Sequence, residues 1–232
     1  VGPSFAMEIF YTARQFTAAE AVTMGLVNRV VSDGELESFV KGYADTIAAN
    51  AALVKYIDMP LQHINDRMLK RMHRLGTRAA IEKLVDRIRT RIPGVTFRTA
   101  FIVGFPGETE QAYQELKSYV AESGFDRVAA FLYSDEDDTT AVSLDDKIER
   151  SVMEERRNEL LAIQEDIASA RGHARIGSVM EVLVEGPSEE TPLLLEGRHE
   201  GLAPEIDGVV YINDGSANSG DFVKVEITDA AT

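Results

Sequence analysis

The 232-residue chain contains no cysteine. That excludes disulfides, thiolate zinc sites, a cysteine nucleophile and any conventional iron–sulfur cluster held by these residues alone. Histidine is scarce: His63, His73, His173 and His199 are the full set, and no two have the helical spacing that brings a pair onto one metal. No metal site is expected. Also missing are an apolar run near the ~18 to 20 residues of a membrane helix and a basic-plus-apolar leader. The expectation is a soluble, cytoplasmic protein without a membrane partner. Its opening residue, Val1 in place of methionine, suggests a fragment or an engineered piece. What is present is 44% hydrophobic and 27% charged residues. This composition sets aside disorder and collagen-like classes and suffices for one large domain or two modest ones.

The net charge of −15 is unevenly distributed. Residues 1–54 carry six acids and three bases, residues 55–100 four acids and eleven bases, and residues 101–232 twenty-nine acids and ten bases. Such blocks suggest functional units with different partners, or simply solvated faces.

Residues 4–51 read as helical. Thr17-Ala18-Ala19-Glu20 is a capping box, Gly25 ends its helix, Val27 to Val31 is short and extended, and Glu35 to Ala49 is a second helix. From Lys55 strands and helices alternate. Tyr56–Leu61, Val95–Val103 and Arg127–Tyr133 are apolar strands. Between them come a basic helix with Met68, Leu69, Met72 and Leu75 on one face, a helix capped by Thr77 with the stripe Ile81, Leu84, Val85, Ile88 and Ile92, and a helix from Thr109 to Ser123 closed by Gly124. Strands apolar on both faces and separated by helices predict a parallel α/β sheet, with fewer units than a closed (β/α) barrel needs. A long helix, Val152 to Arg171, follows. The short strands Val179–Glu185, Leu193–Gly197, Gly208–Ile212 and Phe222–Ile227 then predict a separate small antiparallel barrel.

Ligands of parallel sheets bind at the carboxyl ends of strands, where loops and helix N-termini converge. Three consecutive strand ends carry polar or glycine-rich signals: Gln62-His63 after Pro60-Leu61, the loop Gly104-Phe105-Pro106-Gly107-Glu108-Thr109, and Tyr133-Ser134-Asp135-Glu136. Together they outline one side of a small-molecule site. Each also has a plainer explanation. His63 fits a cap for the next helix, the glycine loop a strand-to-helix turn whose open backbone admits a ligand or nothing, and Glu108 a carboxylate favoured by the helix dipole. The acidic loop Asp135 to Asp138 lacks the ligand spacing of a calcium loop. The bases Arg67, Lys70, Arg71, Arg74 and Arg78 suit salt-bridged solvation better than phosphate binding, because no aromatic residues interleave them.

Tyr56-Ile57-Asp58-Met59-Pro60-Leu61-Gln62-His63, then Asp66 to Met72, then Phe101-Ile102-Val103-Gly104-Phe105-Pro106-Gly107-Glu108-Thr109, then Tyr133-Ser134, resembles the methylthiotransferase group of radical S-adenosylmethionine enzymes. The C-terminal segment, with Gly197-Arg198 and Ala203-Pro204-Glu205-Ile206-Asp207-Gly208, is similar to the TRAM domain that closes those enzymes. Within the group the likeness is greatest to enzymes that modify an aspartate of a small-subunit ribosomal protein. It covers residues 55–230, the second part of the radical domain plus TRAM. The resemblance implies S-adenosyl-L-methionine beside Gln62, His63, Ile102, Gly104 and Glu108, with Tyr133 and Ser134 at the next strand end. Asp138 stands where the family's loop carries glycine. It also implies [4Fe–4S] clusters, whose cysteines belong to regions preceding Tyr56 and are absent here, so catalytic residues stay unassigned.

The run from Phe5 to Val31 is similar instead to the crotonase (enoyl-CoA hydratase) superfamily, in the segment after its active-site half, so no hydratase residue carries over. The chain thus reads as two partial families joined near residues 50–55, by design, by misassembly or by genuine fusion. The expected organisation is a helical segment 1–54, a partial parallel (β/α) barrel 55–171 and an OB-like TRAM barrel 172–232. The expected activity is that of a methylthiotransferase fragment that cannot act alone. A transfer-RNA methylthiotransferase fragment, a non-catalytic TRAM binding module and a hydratase fragment are the alternatives. Twelve acids against Arg175, Arg198 and Lys224 in residues 172–232 favour a basic ribosomal protein over RNA as partner.

Overall fold

Threonine and glycine punctuate the helices where local chemistry requires it. The computed structural model describes residues 2, 5–7, 16–74, 76–136 and 139–230. These belong to two compact units, residues 1–49 and 50–232. In the first, α1 (Ala18–Thr23) opens with the expected capping box: Thr17 Oγ1 accepts from the Glu20 amide at 3.2 Å, and Glu20 Oε2 accepts from the Thr17 amide at 2.8 Å. Gly25, at φ 73°, follows the end of the helix. Residues 27–31 form no strand, and α2 spans Asp33–Ala49. The rest of the helical reading, residues 4 and 8–15, lies outside the described residues, as do Leu75 and Asp138.

The second unit contains a three-stranded parallel sheet, β1 (Tyr56–Asp58), β2 (Thr96–Val103) and β3 (Arg127–Leu132), with β2 in the centre. β1 is shorter than the expected Tyr56–Leu61. Pro60 has no amide to donate, and the Leu61 amide goes to the Thr99 hydroxyl, 3.3 Å, so pairing resumes only as a bridge between Gln62 and Phe101. Between β1 and β2 lie α3 (Asp66–Arg71), capped by Asn65, and α4 (Arg78–Arg91), capped by Thr77. Leu84, expected in the α4 stripe, lies on its flank and is 38% exposed. α5 (Glu110–Ser123) starts at the Thr109 cap and ends where Gly124 adopts the left-handed conformation. Its residues Tyr113, Leu116 and Val120 enclose the core with Phe97, Phe101, Phe125 and Leu160. Burying each such side chain contributes about 1.5–3 kcal/mol.

The long helix α6 (Arg150–His173) packs on β3 and α5 through a face that includes Leu160 and Gln164. Four strands follow: β4 (Val179–Pro187), β5 (Leu195–Arg198), β6 (Val210–Ile212) and β7 (Phe222–Glu226). They pair antiparallel in the order β6-β5-β4-β7. Among the described residues this is a four-stranded sheet whose ends, β6 and β7, do not pair with each other. The sheet meets the amino ends of the parallel strands. Asp207, its side chain 3% exposed, accepts from the Tyr56 hydroxyl at 2.7 Å and lies 3.6 Å from Arg127 Nε. The predicted separate domain is therefore fastened to its neighbour. The docking is at the edge opposite the strand ends singled out above.

Candidate functional site

At the carboxyl edge the three strand ends are hydrogen-bonded neighbours. Beyond β1, the His63 amide donates to the Leu61 carbonyl at 2.8 Å across Gln62, whose φ is 68°. This is a classic-type γ-turn, a strained conformation that persists only when its surroundings determine it. The Gln62 backbone still joins the sheet: its amide donates to Ala100, and its carbonyl accepts from Ile102, each at 2.9 Å. Its side-chain amide makes no hydrogen bond among the described residues and is partly exposed.

His63 and Glu108 are 0% and 1% exposed. His63 Nδ1 accepts from the amides of Ile64 and Asn65, at 2.9 and 3.0 Å. The ring proton therefore resides on Nε2, which donates to Glu108 Oε1 at 3.1 Å. Glu108 Oε2 accepts from the Gly104 amide at 2.8 Å and from Arg156 at 2.6 Å. The expected helix-start carboxylate is thus the centre of a closed polar network, and His63 is a buried member of it. Arg156 also donates to Glu110, 3.1 Å, and lies 5.0 Å from the centroid of the Tyr113 ring. The Tyr113 hydroxyl ionises well above its usual range because burial, and then its hydrogen bond to Glu159, disfavour the phenolate.

The glycine loop is not the open cradle expected from its sequence. Every residue from Gly104 to Glu108 is buried. A Cβ at Gly104 would overlap the Met153 side chain, and one at Gly107 would come within 3.0 Å of Arg71 Nε. The glycines admit protein, from α6 and α3, and not a ligand on those faces. The basic helix surface is likewise partly spent here: Arg67 donates to the Gly107 carbonyl at 2.5 Å and Arg71 to the Pro106 carbonyl at 2.9 Å. These two bases staple the loop, in place of the expected salt-bridged solvation.

At the third strand end, the Tyr133 amide donates to Val103 at 2.9 Å and its ring meets Phe105 edge-on at 5.1 Å. Its hydroxyl donates to Asp135 at 2.7 Å, and the Lys147 ammonium beside Asp135 holds that carboxyl below its usual range. The Ser134 hydroxyl donates to Glu136 at 2.8 Å. Among the described residues no cluster of carboxylates and histidines could hold a metal ion. Along this edge Gln62, Ile102 and Tyr133 are partly exposed and Ser134 is exposed, with an apolar strand between polar ends.

Sequence reasoning missed Arg156 and Met153. A signal existed: Arg156 falls between Met153 and Leu160 on the buried stripe of α6, and a charge on an apolar stripe must find a buried partner.

Comparison with known proteins adds order to this geometry. Residues 13–120 match the radical SAM superfamily and residues 176–232 match the TRAM domain. A ribosomal protein uS12 methylthiotransferase RimO from Anaeromyxobacter sp. (strain K) is 50% identical over 185 residues, covering 80% of this chain and 39% of that protein. Its namesake from Bdellovibrio bacteriovorus is 48% identical, covering 79% and 40%. That from Syntrophotalea carbinolica is 44% identical over 217 residues, covering 89% and 48%. The chain spans about two fifths of the length of the first curated relatives it matches. The radical SAM match begins at residue 13, inside the segment read as similar to crotonases, and that second resemblance gains no support from these matches. Coverage of 89% also exceeds what residues 50–232 can supply, so the similarity extends upstream of the expected junction.

Proposed function

We propose that this chain is the C-terminal part of a radical S-adenosylmethionine methylthiotransferase that modifies an aspartate of a small-subunit ribosomal protein. The observation that carries the reading is one edge of a parallel sheet. There three strand ends, each bearing a family motif, are joined by hydrogen bonds, and the two family matches follow one another in order. On this reading Gln62, Ile102, Tyr133 and Ser134 face S-adenosylmethionine, with the free Gln62 amide offering a donor and an acceptor to its polar groups. The Gly104 backbone helps to form the edge. His63 and Glu108 serve from behind it, because their polar atoms are already taken by protein.

Radical chemistry in this family needs a [4Fe–4S] cluster, which supplies the electron that cleaves S-adenosylmethionine. None of the 232 residues is a thiolate donor, so they do not fit such a cluster, and the chain by itself binds and orients without cleaving. Residues 1–51 are read as packing helices without hydratase chemistry. Residues 172–232 are read as a TRAM unit, its four-stranded sheet the larger part of a small OB-like barrel in a cytoplasmic enzyme. Its twelve acids against three bases favour a basic protein partner over transfer RNA, since phosphate neutralisation needs several bases.

Calorimetric titration with S-adenosylhomocysteine tests the edge. Binding is expected, and Gln62→Gly, which tolerates the positive φ, should weaken it about tenfold, worth about 1.4 kcal/mol. Binding unchanged by that substitution would refute the assignment. Anaerobic reconstitution should yield no stoichiometric [4Fe–4S] spectrum.

A further inference from the structure

The least economical feature of the molecule is the buried pair of Glu108 and Arg156, 1% and 6% exposed. Ion pairs removed from water seldom outperform apolar residues of the same volume, because desolvation offsets attraction. Arg156 Nε even lacks a hydrogen-bond partner among the described residues. What such a pair gives is direction. Glu108 Oε1 accepts from His63 Nε2, while Oε2 accepts from the Gly104 amide and from Arg156. His63 immediately follows the strained turn at Gln62, and Gly104, at φ 77°, ends β2. One carboxylate thus ties together the two backbone segments in the left-handed region at adjacent strand ends. Arg156 fixes that carboxylate from α6, also reaching the Glu108 carbonyl at 3.3 Å and Glu110 at the start of α5.

We propose that His63, Glu108 and Arg156 form a positioning clamp: they touch no ligand, but hold Gln62 in its strained turn and the Gly104 amide in place. Long helix α6 thereby sets the geometry of the ligand edge. This rests on the reading of that edge as an S-adenosylmethionine site, yet its structural half stands alone. The clamp explains how a non-glycine residue keeps a φ of 68° at a strand end. It also explains why a charge occupies the apolar stripe of α6.

The test is the double variant Glu108→Gln with Arg156→Met. Glutamine keeps the shape but has one acceptor oxygen where two are used, and methionine removes the charge that would be stranded. The variant should unfold close to the wild-type midpoint. Amide exchange in residues 61–65 and 101–109 should nevertheless accelerate at least tenfold, and S-adenosylhomocysteine affinity should fall about tenfold. Arg156→Lys, which keeps the charge but loses the planar grip, should give an intermediate result and serves if the double variant does not fold. Unchanged exchange at these segments in a folded variant would overturn the clamp. So would acceleration spread evenly over the whole chain, which marks a merely structural pair. If the wild-type chain binds no S-adenosylhomocysteine, the ligand assignment fails, while local exchange still decides the clamp.

Discussion

Gly104 and His199 show how one residue's surroundings settle its chemistry. Gly104→Ala introduces a Cβ at φ 77° into the space of Met153. Strain and overpacking together should cost about 2–4 kcal/mol in urea denaturation. Adding Met153→Ala should return part of that, and a neutral Gly104→Ala would contradict the packing. His199 is 8% exposed, and both ring nitrogens face donors: Arg175 at 3.0 Å from Nε2 and the Gly201 amide at 3.0 Å from Nδ1. A neutral ring accepts from one of them and a protonated ring from neither. Burial first, then Arg175 and Arg127, against the opposing pull of Asp207, push its pKa from 6.5 down to about 4. The unfolded chain therefore takes up this proton first. Stability is unaffected above about pH 6.5 and falls as pH drops toward 4, by roughly 3 kcal/mol in all. His199→Asn should flatten this decline between pH 7 and 4.5; an equal decline in both proteins would refute it. From sequence, His63 and Glu108 were legible as residues of interest, but not as partners. Their direct hydrogen bond spans 45 positions, a separation that no local pattern bridges.

Among the elements, caps were read correctly because they are local. Thr17, Thr77, Thr109 and Gly124 start or stop helices through contacts within a few residues. The extent of β1 was misjudged because Pro60 breaks the ladder in a run that looks continuously apolar. The fastening of the antiparallel sheet was invisible, since Asp207-Gly208 looks like an ordinary turn. Asp207 accepts from Tyr56 and from the Ala203 amide, the latter at 2.8 Å, and faces Arg127. Burial and then this hydrogen bond push Tyr56 ionisation far upward. Asp207→Ala should therefore cost about 2 kcal/mol, because it leaves the part-buried Tyr56 hydroxyl and the Ala203 amide without their acceptor, whereas Tyr56→Phe, which removes one donor cleanly, should cost about 1 kcal/mol. Urea midpoints check the order. Equal losses would mean that Asp207 acts only through Tyr56.

For the molecule as a whole, the charge blocks have different meanings. Much of the basic block of residues 55–100 is internal fastening: Arg67 and Arg71 hold the glycine loop, Arg89 donates to the Gly124 carbonyl at 3.0 Å, and Arg98 pairs with Asp58 at 2.5 Å. Within residues 172–232 most acids face outward, with Glu181, Glu185, Glu189, Glu190, Glu200, Glu205, Asp214 and Asp221 exposed. Net charge along a sequence does not separate these cases, because it omits which charges the fold consumes. An outward acidic face repels phosphate and attracts basic protein, chiefly by raising the association rate. The most direct measurement is a titration of the intact chain, at low and moderate salt, with a basic small-subunit ribosomal protein and separately with transfer RNA. Tighter binding to the ribosomal protein is expected, weakening as salt rises. Tighter binding to the transfer RNA would contradict this.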